Sequence, residues 1–199
     1  MTVSIRRKKE KEALRLHILE VAKEIAAADG WQNVTIRKIC DKIGYSAPVI
    51  YQHFENKEDL LQSLRVVGFT QIFEQFEKVD VKHSTPEKRL LEYALVWWKF
   101  SKQNPELYQV MFNLQGAICE NNENKQSRMF VNYYSTSFKQ MSSKAHRSEK
   151  YKLELCDNFI SVIHGFISMR MVNKIKSGSE NAEQVFKNSI LRFIHSITD

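Results

Sequence analysis

Apolar and polar positions repeat along this chain with the period of amphipathic helices, and the clearest repeat begins after Thr35. Apolar side chains recur there at i, i+3, i+4 and i+7, the spacing of one helix face, at Ile36, Ile39, Cys40 and Ile43. The hydroxyl of Thr35 can cap this helix by accepting a hydrogen bond from a free backbone N–H. Gly44 then provides the positive φ angle that a sharp turn between two helices requires.

A second, much shorter helix is predicted directly after this turn. Ser46 stands at its N-cap position, and Pro48 lies in its first turn, where a missing N–H costs nothing. Ile50 and Phe54 are its inward pair at helical spacing, so this helix is too short to be a core element. Its other face must therefore contact something outside the protein. Two helices joined in this way form a helix-turn-helix, whose second helix lies in the major groove of DNA.

Helical patterns and helix-start signals continue through the rest of the chain. A first helix with an apolar stripe from Leu14 to Ile25 ends near Gly30, and Asn56 caps a fourth helix that reaches about Val79. Prolines at helix starts and apolar residues at helical spacing predict five more helices after residue 84. We therefore predict an all-α fold of about nine helices. A three-helix module with the helix-turn-helix occupies residues 1–66, and a larger helical domain occupies residues 67–199.

The residues of the first third also carry a family resemblance. The matching segments are Gly30-Trp31, Thr35-Ile36-Arg37, Ile39-Cys40, Gly44-Tyr45-Ser46, Ile50-Tyr51, His53-Phe54 and Asn56-Lys57-Glu58. Dense and correctly spaced, they resemble the signature of TetR-family transcriptional regulators. The resemblance implies a regulator that binds double-stranded operator DNA, with an effector-binding domain in residues 67–199 and a homodimer formed through the last two helices.

The resemblance and the outward positions of the short helix together give a set of predicted DNA contacts. By resemblance, Thr35 and Arg37 touch the DNA backbone or, for the arginine, a base, and Tyr51, His53 and Lys57 bind phosphate. Residues on the outward face contact bases, with Gln52 able to pair with adenine and apolar groups contacting thymine methyls. The full set is Thr35, Arg37, Ser46, Ala47, Pro48, Val49, Tyr51, Gln52, His53 and Lys57. For Arg37 the alternative is simple solvation; for Tyr51 and His53 it is packing against the first helix.

The charge of the chain supports a polyanionic partner without identifying it. The net charge is +7 and the pI about 9.2. Residues 1–57 contain 11 Lys+Arg against 7 Asp+Glu, so the basic excess per residue is concentrated at the amino-terminal end. Residues 1–12 are a basic lead-in, which is either a solvated helix end or an arm that adds DNA contacts.

Other composition signals exclude several classes of protein. Cys40, Cys119 and Cys156 form no C-x-x-C pair or Cys/His cluster, so we expect reduced cysteines, no metal and no cofactor. The longest apolar run, from Ala94 to Trp98, is far too short to span a membrane, and no secretory signal is present. We expect a cytoplasmic protein. No nucleophile–base spacing or phosphate loop indicates an enzyme, and no catalytic residue is predicted.

Two further sets of residues are predicted in the carboxyl-terminal helices. Aromatic and Met side chains suit a pocket for an apolar or aromatic ligand, and the candidates are Phe73, Trp97, Tyr108, Met111, Tyr133, Tyr134 and His164. The alternative for each of them is plain core packing, which must be the role of most aromatic and Met side chains in these helices. The last two helices have more apolar surface than one subunit can cover, which predicts a dimer interface through Phe159, Ile163, Phe166, Phe186, Ile190, Phe193 and Ile197. The alternative is an ordinary core hairpin.

Two functions fit these patterns. The first is a homodimeric repressor that a small, largely apolar or aromatic effector releases from a palindromic operator. The second is a DNA-binding activator or architectural protein without small-molecule control. Loss of operator binding on addition of an effector would favour the first.

Overall fold

The computed structural model describes residues 3–117, 125–141 and 148–198 of the chain, and their regular secondary structure is entirely helical. In chain order the helices are α1 (Val3–Asp29), a 3-10 turn (Trp31–Asn33), α2 (Ile36–Ile43), α3 (Ala47–Tyr51), α4 (Lys57–Lys82), α5 (Pro86–Gln103), α6 (Pro105–Met111), α7 (Lys125–Met141), α8 (Glu149–Met171) and α9 (Ala182–Thr198). The predicted all-α fold of about nine helices is therefore confirmed. The fourth helix runs to Lys82, three residues further than predicted.

The residues form two compact units. The amino-terminal unit consists of Met1–Phe69 together with Glu106–Asn122, and the carboxyl-terminal unit consists of Thr70–Pro105 together with Glu123–Asp199. The segment that contains α6 thus belongs to the amino-terminal unit, although no local pattern in residues 105–111 predicts this. The assignment of residues 1–66 and 67–199 to separate functions stays a prediction.

Close packing explains why α6 belongs to the amino-terminal unit. Leu107, Val110 and Met111 of α6 are buried. The rings of Phe69 and Phe112 meet edge to face with centroids 6.3 Å apart. A β-carbon at Gly68 would overlap the side chain of Met111, so glycine allows α4 and this side chain to approach closely. Burial of these apolar side chains holds α6 against α4.

The core of the amino-terminal unit is the apolar stripe of α1 packed on the short helices. Ile18, Val21 and Ala22 are buried, as predicted from their helical spacing. The helix α1 ends at Gly30, which has a φ of 84°, and Trp31 of the following 3-10 turn is completely buried. Contacts of α1 with α2 and with this turn fix the three-helix module.

An aromatic cluster forms the centre of the carboxyl-terminal unit. Phe76 of α4 is completely buried, and five rings surround it with centroids 4.4 to 6.2 Å away, those of Tyr93, Trp97, Phe130, Tyr133 and Tyr134. Several pairs meet edge to face, a geometry that aromatic rings prefer. A second group joins α5 to α9, where Trp98 stacks on Phe186 at 4.7 Å and donates a hydrogen bond to Glu183.

Most of the predicted dimer-interface residues are buried within the subunit, and their role in a dimer stays a prediction. Phe159, Ile163, Phe186, Ile190 and Ile197 are buried within the subunit, because α8 and α9 pack on each other and on α5. Phe166 and Phe193 are half-buried. The apolar surface that α8 leaves exposed consists of other residues: Leu153, Met169 and Val172, each about half accessible.

Candidate nucleic-acid interface

The helix-turn-helix has the local geometry that its sequence predicts. The Thr35 side chain accepts a hydrogen bond from the backbone N–H of Lys38 at 3.2 Å and so caps α2. Gly44 ends that helix in the left-handed conformation, with a φ of 72°. Ser46 occupies the N-cap position of α3, but its side chain makes no capping bond; its carbonyl accepts from Val49 instead. Ile50 and Phe54 are buried and anchor α3 to the unit.

The outward face of α3 is accessible and carries no charge. Ser46, Pro48 and Gln52 are exposed, whereas Ala47 and Val49 are half-buried. Tyr51 keeps 53% of its surface accessible, which is unusual for a large aromatic side chain and places it away from the core. These side chains offer a carboxamide, two hydroxyls and small apolar groups to a partner, and none of them is a cation.

Ion pairs on α2 separate Arg37 from its basic neighbours. Lys38 pairs with Asp29 at 3.0 Å and Lys42 pairs with Glu24 at 2.8 Å, so both lysines tie α2 to α1. The hydrogen bond and charge of Lys42 hold the pKa of Glu24 below its usual value. Arg37 is exposed and has no ion pair among the described residues. Its guanidinium is therefore accessible to phosphate.

Lys57 has a structural role that the sequence did not reveal. Its ammonium donates a hydrogen bond to the carbonyl of Trp31 at 2.9 Å and so links the start of α4 to the start of the 3-10 turn. Burial lowers the pKa of this ammonium. A substitution here would therefore change the module itself as well as any phosphate contact.

Arg15 connects three parts of the module and was missed by sequence reasoning. Its guanidinium donates to the carbonyl of His53 and to the hydroxyl of Ser63, both at 2.7 Å, and lies 4.2 Å from the centre of the Phe54 ring. It thereby fixes the residues just after α3 relative to α1 and α4. Its position beside the apolar stripe of α1 was the only sequence signal for a structural role. Its hydrogen-bond partners could not be identified because they lie 38 and 48 residues further along the chain.

His53 lies against α1. Its side chain is half-buried, and its Nδ1 atom is buried without a hydrogen-bond partner among the described residues. Burial, and next the positive charges of Lys11 and Arg15, lower the pKa of His53, so the imidazole is neutral at pH 7. This surrounding favours packing against the first helix over a phosphate contact by the imidazole.

The comparisons with known proteins agree with this geometry. Residues 18–64 match the profile of the bacterial regulatory proteins of the tetR family. A fatty acid metabolism regulator protein of Bacillus subtilis (strain 168) is 32% identical over 87 residues, which are 44% of each chain. The uncharacterized HTH-type transcriptional regulator YobS of the same organism is 22% identical over 149 residues, 75% of this chain and 74% of the relative.

The fold is also shared with solved structures. The ketosteroid transcriptional regulator KstR2 of Mycobacterium tuberculosis superposes with a TM-score of 0.67 at 16% identity, over 93% of this chain and 95% of that chain. The match to the TetR family of bacterial regulatory proteins therefore covers the helix-turn-helix region of this chain, residues 18–64.

The seven predicted pocket residues are divided between the two compact units, and their role in ligand binding stays a prediction. Tyr108 and Met111 belong to the amino-terminal unit, and the other five belong to the carboxyl-terminal unit. Trp97 and Tyr134 are buried and share a 2.7 Å hydrogen bond from the indole N–H to the phenol. Phe73 stacks on Phe130 at 4.4 Å. His164 is half-buried, and its burial lowers its pKa.

Of the predicted pocket residues, Tyr133 borders a described cavity. The cavity has a volume of about 210 Å³, and its lining is Asp80, Arg89, Tyr93, Asn132, Tyr133, Thr136 and Ser137. The polar part of this lining was not predicted, because Asp80 lies in a polar stretch that resembled a helix end. The Tyr93 hydroxyl donates to the carboxylate of Asp80. Burial, and then this bond and the charge of Asp80, raise the pKa of Tyr93.

Arg89 holds the other side of this cavity. It is buried and donates to the carbonyls of His83 and Ser84 at 3.2 and 3.0 Å, and to the side-chain oxygen of Gln140. Ser137 is completely buried, and its hydroxyl has no hydrogen-bond partner among the described residues. The cavity therefore combines aromatic walls with polar groups that the sequence analysis did not single out.

The two described cysteines do not form a reactive or metal-binding site. Cys40 and Cys156 are buried free thiols, and Cys119 lies outside the described residues. Burial, together with the nearby charge of Asp157, raises the pKa of Cys156 to about 12, so this thiol is protonated at neutral pH. In residues 3–117, 125–141 and 148–198 there is no group of three or more His, Cys, Asp or Glu placed to bind a metal. No described helix is long and apolar enough to cross a membrane.

Proposed function

We propose that this protein is a homodimeric repressor that binds a palindromic operator in the cytoplasm and is released from it by a small, largely apolar or aromatic ligand. The observation that carries the proposal is the exposed, uncharged face of α3, held in a rigid module by Arg15 and Lys57. The neighbouring residues Thr35, Arg37 and Tyr51 are exposed and can donate hydrogen bonds to DNA phosphates. Affinity would thus come from the phosphate contacts and sequence preference from Gln52 and small apolar groups.

A dimer is needed because one short recognition helix reads too few base pairs for a specific site. Two modules related by a two-fold axis read half-sites about 34 Å apart, one turn of DNA. We place the dimer contact on the exposed side of α8, where Met169, Val172 and Gly165 leave an apolar strip with room for a close approach. This placement replaces the buried residues that periodicity suggested.

The dimer contact can be tested without disturbing the subunit core. Met169→Glu introduces a charge at a side chain that is 45% exposed, so the subunit should fold normally and sediment as a monomer. Val81→Glu, at a side chain that is 91% exposed on α4, is the matched control and should leave the dimer intact. A Met169→Glu protein that stays dimeric would move the interface elsewhere.

The ligand site is proposed at the cavity beside Tyr93 and Tyr133 in the carboxyl-terminal unit. Its volume of about 210 Å³ exceeds the roughly 150 Å³ that holds benzene in an apolar protein cavity. A one-ring ligand, or the end of a longer chain, fits this space against the two tyrosine rings. The relative named as a fatty acid metabolism regulator is compatible with an effector of apolar character.

The mechanism would rest on differential binding. A ligand releases DNA when it favours a conformation whose two recognition helices have the wrong spacing for successive half-sites. The helix α4 supplies residues to both compact units, Lys57–Phe69 to one and Thr70–Lys82 to the other, so it is our candidate for carrying the change.

A selection followed by a reporter assay tests this function. The wild-type protein should select an inverted repeat from random duplexes, and that repeat placed over a promoter should lower reporter expression when the protein is present. Compounds that raise the melting temperature should restore expression. Increased expression would identify an activator, and selection of bent DNA without a repeat would identify an architectural protein.

A further inference from the structure

The first turns of α1 extend beyond the packed part of the protein. The helix begins at Val3, and residues 4–13 are all exposed. At 1.5 Å per residue this extension reaches about 15 Å beyond the first residues that contact the core. It carries Arg6, Arg7, Lys8, Lys9 and Lys11. In the structure this basic segment is therefore part of a continuous helix with defined faces, and not an extended arm.

The basic side chains of this extension lie on two different sides of the helix. Arg7, Lys11 and Ile18 are spaced at i, i+4 and i+11, so the first two continue the face that is buried further along. Lys8 lies beside Lys11 on this face, three residues before it. Arg6 and Lys9 lie on the opposite side, where Arg6 pairs with Glu10 at 2.8 Å.

The face with Lys8 and Lys11 is directed to the side of the module where α3 ends. Arg15, which follows Lys11 by four residues, donates a hydrogen bond to the carbonyl of His53, two residues beyond α3. Lys11 is close enough to this histidine for its charge to contribute, after burial, to the lowered pKa of His53. Beyond Lys11 this face continues past the module without a protein surface opposite it among the described residues.

We propose that Arg7, Lys8 and Lys11 bind phosphates of the DNA that flanks the base pairs contacted by α3. The proposal rests on the proposed function, since it requires that α3 occupies the major groove. Three cations on one helix face complement the continuous negative charge of a duplex, and the contact surface is continuous with the recognition helix through Arg15 and His53. These contacts raise affinity for all sequences and lengthen the bound site.

Paired variants on the two sides of the same helix test this proposal. K8Q/K11Q and R6Q/K9Q each remove two positive charges, so nonspecific effects of net charge are matched. Binding of the full-length protein to its selected operator is measured between 50 and 200 mM salt, about the range in which phosphate contacts dominate the slope. Two lost contacts should reduce the slope of log Kobs against log[salt] by about 1.8 for K8Q/K11Q and by much less for R6Q/K9Q.

A shortened duplex supplies the second readout. On an operator cut back to its inverted repeat, wild-type and K8Q/K11Q proteins should bind equally, since the flanking phosphates are absent. Equal slopes for K8Q/K11Q and R6Q/K9Q on the long duplex would overturn the proposal, and so would a difference that persists on the short one. Equal circular dichroism and melting of the variants would establish that the helix is intact, with R7Q/K8Q as the replacement pair if it is not. Failure of the wild-type protein to select any DNA would instead contradict the proposed function.

Discussion

The recognition module and the aromatic cluster around Phe76 use their side chains in opposite ways. On α3, Pro48, Tyr51 and Gln52 are exposed and add little to packing. In the carboxyl-terminal unit, Tyr93 is buried with its ring 4.4 Å from that of Phe76, and it also lines the proposed ligand cavity, so a group that could contact a ligand also holds the core together. Function and stability should therefore separate at these exposed side chains of the first region, but not at Arg15 and Lys57, and they should remain coupled in the second region.

The largest effect is expected in the aromatic cluster. Phe76→Ala removes the ring that five other rings surround, and the loss of buried surface together with the remaining cavity should lower the free energy of unfolding by about 3–5 kcal/mol. Denaturant unfolding measures this change. Val81→Ala on the same helix, at a highly exposed position, should stay within about 0.5 kcal/mol. Similar stabilities of the two variants would contradict the packed description of the cluster.

An intermediate effect is expected at Arg15, which has a structural role within the recognition module. Arg15→Gln breaks two hydrogen bonds from a charged donor, and such bonds contribute about 1.5–3 kcal/mol each. The free energy of unfolding should fall by about 1.5–3 kcal/mol in total, because the glutamine amide can still donate to one of the two acceptors, and DNA binding should weaken for every sequence. Arg37→Gln is the control, because Arg37 is exposed: it should lose DNA affinity with an unchanged unfolding curve. A destabilised Arg37→Gln protein would show that DNA binding and stability are not separate at the exposed residues of this module.

A smaller effect sharpens the distinction between Tyr51 and Lys57. Tyr51→Phe removes one exposed hydroxyl, so DNA binding should weaken by about 1 kcal/mol, equally for all sequences, while thermal stability stays constant. Lys57→Ala should lower both the DNA affinity and the thermal stability, because the Lys57 ammonium also donates a hydrogen bond to the Trp31 carbonyl. Fluorescence anisotropy with operator and unrelated duplexes, beside thermal melting, compares the two variants. A Tyr51→Phe protein with wild-type affinity would remove this hydroxyl from the phosphate contacts.

Particular residues show why some features were predictable from sequence. The cap at Thr35, the turn at Gly44 and the cap at Asn56 depend on a few adjacent residues, so local patterns determine them. The roles of Arg15 and Lys57 depend on partners 26 to 48 residues away, which no spacing rule connects.

Periodicity had a different limit at α8. It correctly predicted the apolar face that includes Phe159 and Ile163, but an apolar face can be covered by the same subunit or by a partner. In this chain α5, α7 and α9 cover it, and the exposed strip with Met169 lies on another side of the helix. Composition likewise indicated many aromatic residues without showing that five of them pack around Phe76. These outcomes depend on how the helices are arranged, which is not encoded in any one segment.

The central claim is that the uncharged face of α3 reads bases while phosphate contacts supply the affinity. Parallel selection from random duplexes with wild-type and Gln52→Ala proteins tests it most directly. The account predicts that both proteins enrich an inverted repeat of the same length, and that the variant loses its preference at one base position in each half-site, since Gln52 is exposed and can pair with adenine. An identical base profile for the two proteins would contradict the claim.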